Sequence, residues 1–322
     1  MTGTHQITIQ NKKIKYSFAI RRNITVIRGN SATGKTVLIE MVREYYENGE
    51  DSGITLQCDK PCAVLSGMNW EVQLSAIHDS IIFIDEGSRF VSSIDFAAAI
   101  QKTDNYYVIV TREGLSALPY SINEIYGIRD AGKYGQLKQT YNELYHIYAH
   151  NEQGESSSPT VVITEDSNAG FQFFSNICNG RQIRCISANG KSNIFKLLLN
   201  QTTEQILVIA DGAAFGSEME KIIKLQNETG NFTLYLPESF EWLILKSDLI
   251  NDKTISDILA DPSNYIESKE YFSWERFFTA LLTKTTEATY LQYSKHELNP
   301  VYLQESSSKK ILDVTKPLFE KE

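Results

Sequence analysis

The sequence predicts an α/β protein of two domains, each a mainly parallel sheet flanked by helices. Three observations predict it. Short apolar runs alternate with segments of helical spacing along most of the chain. The runs are near-continuous, as expected of strands buried on both faces of a parallel sheet. The alternation stops at a polar stretch near residue 150 and then restarts. A chain of 322 residues is long enough to bury two cores.

In order, "HQITIQ" and "KIKYSFAI" predict a hairpin turning at Asn11 to Lys13. "NITVIRG" predicts a buried strand. Thr36 to Tyr46 has helical spacing, with Leu38, Ile39, Val42 and Tyr46 on one side. "SIIFIDEG" and "YYVIVTRE" predict two central strands, with a short helix at "FAAAIQ" between them. "HNEQGESSSPT", from His150 to Thr160, is polar, rich in small residues and contains Pro159, the composition of a linker. Beyond it, "TVVITED", "QIRCISA", "QILVIADG" and "NFTLYLPES" predict four strands separated by helices. Ser273 to Glu287 predicts a further helix, N-capped by Ser273. The expected boundaries are a first domain over 1–149, a linker over 150–159, and a second domain over 160–322 that ends in a helical extension.

Bulk properties exclude some classes. The net charge of -9 gives no general attraction to a polyanion, so any nucleic acid has to be bound through a local patch or through metal. No apolar run approaches the ~20 residues that a bilayer span needs. Met1 to Lys13 carry no apolar signal core, so a cytoplasmic location without membrane partners is expected. Four cysteines in a chain this long are too few for a disulfide framework. Cys58 with Cys62, and Cys178 with Cys185, read as buried thiols in preference to a zinc site.

The strongest local signal is "GNSATGKT", which fits G-x-x-x-x-G-K-[ST] and lies between a predicted strand and a predicted helix. Glycines at both ends let successive amides point at phosphate oxygens, and the helix N-terminus adds its dipole. Gly29, Asn30, Ser31, Ala32, Thr33, Gly34, Lys35, Thr36 and Val37 form this expected cradle. Lys35 offers charge to the β and γ phosphates, and Thr36 a hydroxyl to Mg²⁺. Asp85, after four apolar residues, is the expected second Mg²⁺ partner, and Glu86 the expected general base.

This Asp-Glu pair resembles the Walker B of hydrolysing P-loop ATPases of the ABC/AAA type. The resemblance implies an ATP and Mg²⁺ site, with Arg112 at the tip of the next strand as a γ-phosphate sensor or charge stabiliser. Thr111 shares that tip, and Arg129 in "IYGIRD" is a weaker second candidate. "LSGMNW", from Leu65 to Trp70, matches the ABC signature for three residues only and reads as coincidence. ATP and GTP are not distinguished by the loop, and no guanine-type "NKxD" is present.

From Thr160 to about Leu245 the chain resembles the TOPRIM fold of topoisomerases, primases and OLD-type nucleases. "VVITEDSNAGFQFF" places Glu165 after the first strand of that half. "ILVIADGAAFGSEMEKI" places Asp211 after the third, with Gly216 at the family's glycine. The resemblance implies that Glu165 and Asp211 bind Mg²⁺. The second Asp of D-x-D is Ala213 here, which leaves a thin oxygen set. Asp166, Glu218 or Glu238 are possible replacements. A domain that has lost catalysis and binds a partner accounts for Ala213 better than an active nuclease does.

"GKSN", from Gly190, lacks the first glycine of a phosphate loop. Phe171, Phe173 and Phe174 read as core, as do Trp242 and Trp274, and Lys309, Lys310 and Lys316 as solvated surface. The combined expectation is an ATPase that couples nucleotide to a TOPRIM-like domain. The resemblance implies nucleic-acid processing or phage- or plasmid-related defence, with DNA or RNA as candidate partners. It also implies a homo-oligomer or a partner protein. The alternative is an ATP-regulated, metal-dependent nuclease with Glu165 and Asp211 catalytic. A small-molecule kinase ranks last, because residues 43 to 80 hold one arginine, Arg43, and no Arg-rich lid.

Overall fold

A computed structural model describes residues 1–29, 34–134, 139–148, 159–201, 204–315 and 318–319, with backbone alone at 132–134. The expected loop residues Asn30, Ser31, Ala32 and Thr33 lie outside these, as do Lys316 and most of the expected linker. The chain divides into two compact units, Met1–Tyr148 with Asp261–Ser273, and Ala149–Ala260 with Trp274–Glu322.

The first unit contains β1 (His5–Gln10), β2 (Ile14–Ile20), β3 (Ile24–Ile27), α1 (Lys35–Asn48), β4 (Thr55–Gln57) and β5 (Cys62–Val64). It continues with α2 (Trp70–Ser75), β6 (Ile81–Ile84), α3 (Ile94–Ile100), β7 (Tyr106–Val110), β8 (Ile125–Tyr134) and β9 (Thr140–His146). Its nine strands run β4-β1-β2-β9-β8-β3-β7-β6-β5. Strands β8, β3, β7, β6 and β5 form a parallel block. β1 pairs antiparallel with β2 and β4, and β8 with β9. The sheet is therefore mixed, where the sequence predicts a mainly parallel one. The difference comes from β4, β8 and β9, whose sequences carry no continuous apolar run.

Local chemistry sets several of these elements. Every residue of β3, β6 and β7 is buried, which explains their unbroken apolar sequences. β1 instead alternates, with one face in the core. The predicted hairpin turn forms because Asn11 Oδ1 accepts the Lys13 and Ile14 N–H groups, at 2.8 and 2.9 Å. Ser93 caps α3 by accepting the Phe96 N–H at 3.1 Å.

The sequence reading runs the second domain unbroken from 160 to 322, yet Asp261–Ser273 belongs to the first unit. That segment is held by backbone: Gly3 N–H donates to Ser263 O at 2.7 Å, and Ser268 N–H to Met1 O at 3.0 Å. Asn23 Nδ2 donates to Ser268 O at 3.1 Å.

The second unit contains β10 (Val161–Thr164), α4 (Ala169–Gly180), β11 (Arg184–Ser187), α5 (Lys191–Leu199), β12 (Ile206–Ile209), α6 (Met219–Thr229) and β13 (Phe232–Tyr235). Helices α7 (Phe240–Lys246), α8 (Lys253–Ala260), α9 (Trp274–Thr286) and α10 (Glu305–Val314) follow. The four strands are all parallel, in the order β11-β10-β12-β13. Every residue of β10 and β12 is buried. Phe173 and Phe174 of α4 pack on Phe240 of α7, with ring centroids 5.3 and 6.1 Å away. Burying each ring contributes roughly 1.5–3 kcal/mol. Phe171, expected in the core, is instead only partly buried. Trp274 is buried, and Trp242 lies under the Lys246 ammonium at 4.5 Å.

Candidate functional site

Each unit ends its parallel strands at one sheet edge, and Gly29, Asp85, Thr111, Glu165 and Asp211 follow strands that end there. In the first unit β3, β7 and β6 are neighbours in that order, so Gly29, Thr111 and Asp85 leave the same side. Thr111 N–H donates to Ile27 O at 3.1 Å, which ties the tip of β7 to the tip of β3.

Lys35 opens α1, and its side chain is buried. Its ammonium donates to Gly29 O at 2.7 Å, folding back on the first glycine of the motif. Glu86, one residue beyond Asp85, forms an ion pair with Arg112. Burial pulls the Lys35 pKa below the usual lysine range; Glu86 opposes that shift and Arg112 adds to it. Lys35, Glu86 and Arg112 thus share one electrostatic neighbourhood, although they come from three separate segments. Asp85 Oδ1 accepts the Glu86 N–H at 2.8 Å and fixes the turn between the two acids. Thr111 spends its hydroxyl on that turn's neighbour, donating to Glu113 O at 3.1 Å, so Arg112 is the residue of the tip that faces the acid.

Arg129 does not join this group. It pairs with Glu143 across β8 and β9, at 2.7 Å. Sequence reading missed Tyr16. This buried residue of β2 donates its hydroxyl to Gly34 O at 2.8 Å. Gly34 has φ +88°, and a Cβ there would sit 2.8 Å from the Tyr16 hydroxyl, so only glycine fits. A tyrosine within an alternating strand gives no sequence signal of this contact.

In the second unit, Glu165 follows β10 and Asp211 follows β12, on adjacent strands. Strand order reverses between them, with β11 outside β10 and β13 outside β12. Open α/β sheets bind ligands at such a crevice. Asp211 N–H donates to Glu165 Oε2 at 3.1 Å, so the two predicted residues do meet. Gly212 lets the ends of β12 and β13 close up: its N–H donates to Pro237 O at 2.6 Å, and a Cβ would stand 2.5 Å from Leu236 O. Ala213, at the position of the missing Asp, is buried.

A cavity of about 40 Å³ lies at this edge, lined among others by Glu165, Asp166, Asp211, Glu241, Tyr293 and Lys295. Glu241, Glu275, Lys191 and Lys295 were not singled out from sequence. Glu241 Oε1 accepts the Tyr293 hydroxyl at 2.8 Å, and Glu275 Oε1 accepts from the Lys295 ammonium at 2.6 Å. Lys191 donates to Ala214 O at 2.7 Å. Burial pushes Glu165 up to about 7, with Glu275 and Asp166 adding to the rise. Burial raises Asp211 well above the usual carboxylate range, and Glu275, Glu165 and Glu241 raise it further. Burial works against the Lys295 charge, but Glu275, Glu241 and Asp211 outweigh it and hold the ammonium above the usual lysine range.

Of the suggested replacements for the missing Asp, Asp166 lines the cavity but accepts both the N–H and the side-chain amide of Asn168, at 3.0 and 2.6 Å. Glu218 is buried and pairs with Lys221. Glu238 does not line the cavity. All four cysteines are free thiols; Cys62 and Cys178 are buried as expected, whereas Cys58 and Cys185 are only partly buried. Among the described residues no three His, Cys, Asp or Glu side chains are arranged to hold a metal ion. Nor is any helix among them long and apolar enough to cross a membrane. No protein-family model matches the chain, and a search of curated proteins gives no match.

Proposed function

We propose that the first unit is an ATP-binding P-loop domain that hydrolyses its nucleotide, and that the second is a TOPRIM-like domain coupled to it. The observation that carries the reading is the meeting of Lys35, Glu86 and Arg112 at one strand edge. Lys35 binds the β and γ phosphates, giving up its bond to Gly29 O when they arrive. Thr36 and Asp85 would hold Mg²⁺, which would supply positive charge against the phosphate oxygens. A P-loop magnesium takes only one or two protein oxygens beside the phosphates, so this pair fits without a three-acid cage. Glu86 orients and deprotonates the attacking water, and Arg112, released from Glu86, faces the charge that develops on the transferred phosphoryl group.

The test is Lys35→Ala in purified protein. Phosphate release from ATP is expected to fall to background, with nucleotide binding weakened. Turnover that survives the change sinks the site. One observation favours the second reading, a metal-dependent nuclease: Glu165 and Asp211 do lie together at the switch point. Incubation with DNA and RNA in Mg²⁺ or Mn²⁺ separates the two. Cleavage that Asp211→Ala removes establishes the nuclease, and intact substrates support the non-hydrolytic half proposed here.

A further inference from the structure

The acids of the second unit do not fit the divalent cation that a TOPRIM resemblance implies. Such a cation needs several free oxygens facing one point, at about 2.0–2.6 Å. Here three of the carboxylates already have a donor from the protein. Glu165 takes a backbone N–H, Glu241 a tyrosine hydroxyl, and Glu275 an ammonium. The position that would supply another carboxylate is the buried Ala213.

Two lysines stand among these acids instead. Lys295 lines the cavity, bonds Glu275, and interacts with Glu241 and Asp211. Lys191, at the start of α5, donates to Ala214 O at 2.7 Å, with Glu165, Glu218 and Glu275 as its electrostatic neighbours. An ammonium is a compact cation with three donors, able to bridge carboxylates that would otherwise repel. Removing one partner of such a group leaves the other charges uncompensated.

We infer that Lys295, supported by Lys191, is the resident cation of this cleft, so that the second unit holds its acids together without a divalent metal. The inference deepens the reading of this unit as non-hydrolytic and is independent of the ATP site. Its test therefore uses nucleotide-free protein.

Mn²⁺ is titrated into the wild type, Lys295→Met and Lys295→Arg, with free Mn²⁺ followed by electron paramagnetic resonance and Tm recorded at each concentration. In the wild type the expectation is no stoichiometric Mn²⁺ binding and a flat Tm. Lys295→Met loses several degrees of Tm and recovers part of it with Mn²⁺, while Lys295→Arg stays near the wild type. Stoichiometric binding to the wild type that Asp211→Asn abolishes overturns the inference. So does a Lys295→Met protein with wild-type Tm and no response to Mn²⁺. If Lys295→Met fails to fold, the wild-type titration and the Asp211→Asn control still decide. An intact ATPase with a metal-binding second unit would refute this inference alone, and a dead ATPase with a metal-free second unit would refute only the nucleotide site.

Discussion

The two units use the same piece of geometry and furnish it in opposite ways. In both, acids stand at the C-terminal ends of buried parallel strands: Asp85 and Glu86 in the first unit, Glu165 and Asp211 in the second. In the first, Glu86 pairs with Arg112 and is an electrostatic neighbour of Lys35, whose ammonium bonds a backbone carbonyl. In the second, Glu165 accepts the Asp211 N–H, and tyrosine and lysine donors occupy the neighbouring Glu241 and Glu275. Topology delivers a carboxylate to a strand end, but its neighbours decide whether it meets a ligand or closes on the protein itself.

The comparison can be broken most easily at Glu86. Glu86→Gln is expected to lower ATP turnover by roughly 100-fold or more, the usual contribution of a positioned general base. Nucleotide binding should change only severalfold. Phosphate-release kinetics beside a binding titration check this, and equal losses in both would assign Glu86 to binding.

The next effect lies on the other edge and is read by pH. The Glu165 carboxyl is raised from 4.5 to about 7 in the folded state. The folded protein then binds the proton more tightly than the unfolded chain, so stability is highest at low pH and falls as pH rises from about 4.5 to about 7. The loss is on the order of 3 kcal/mol. Urea unfolding at a series of pH values should show this slope, and Glu165→Gln should flatten it. An unchanged slope in that variant would remove Glu165 as its source.

Tyr16→Phe gives the smallest effect. It leaves Gly34 O without its side-chain donor, at a cost of about 1 kcal/mol. KM for ATP should rise a fewfold with little change in kcat, as measured by steady-state kinetics. A wild-type KM would show that the hydroxyl does not position the loop.

How much of this was legible in the sequence follows from where each signal resides. β3, β6, β7, β10 and β12 are buried along their whole length, so each declares itself as an apolar run. The glycine-lysine loop and the strand-end acids are local patterns, readable without any tertiary knowledge. β9 is partly exposed along its length, and β4 and β5 have three residues each, too short to show a period. The partners of Asp211 and Glu165 were hidden for another reason. Glu241, Glu275 and Lys295 come from α7, α9 and the chain after α9, and no spacing rule links them to β10 or β12. Arg112 was legible because it follows a buried strand by two residues, whereas the hydroxyl of Tyr16 reaches Gly34 only through the pairing of distant strands.

The return of Asp261–Ser273 to the first unit bears on how the molecule can be dissected. A truncation after residue 149 would take away the strip of backbone that satisfies Gly3 and Met1, and would strand buried Asn23 without its carbonyl partner. A fragment from 160 onward would carry that strip with nothing to pair with. Gene fragments cut at the apparent midpoint should therefore yield poorly behaved pieces. A faithful isolated first unit would need residues 261–273 grafted back by a short designed loop.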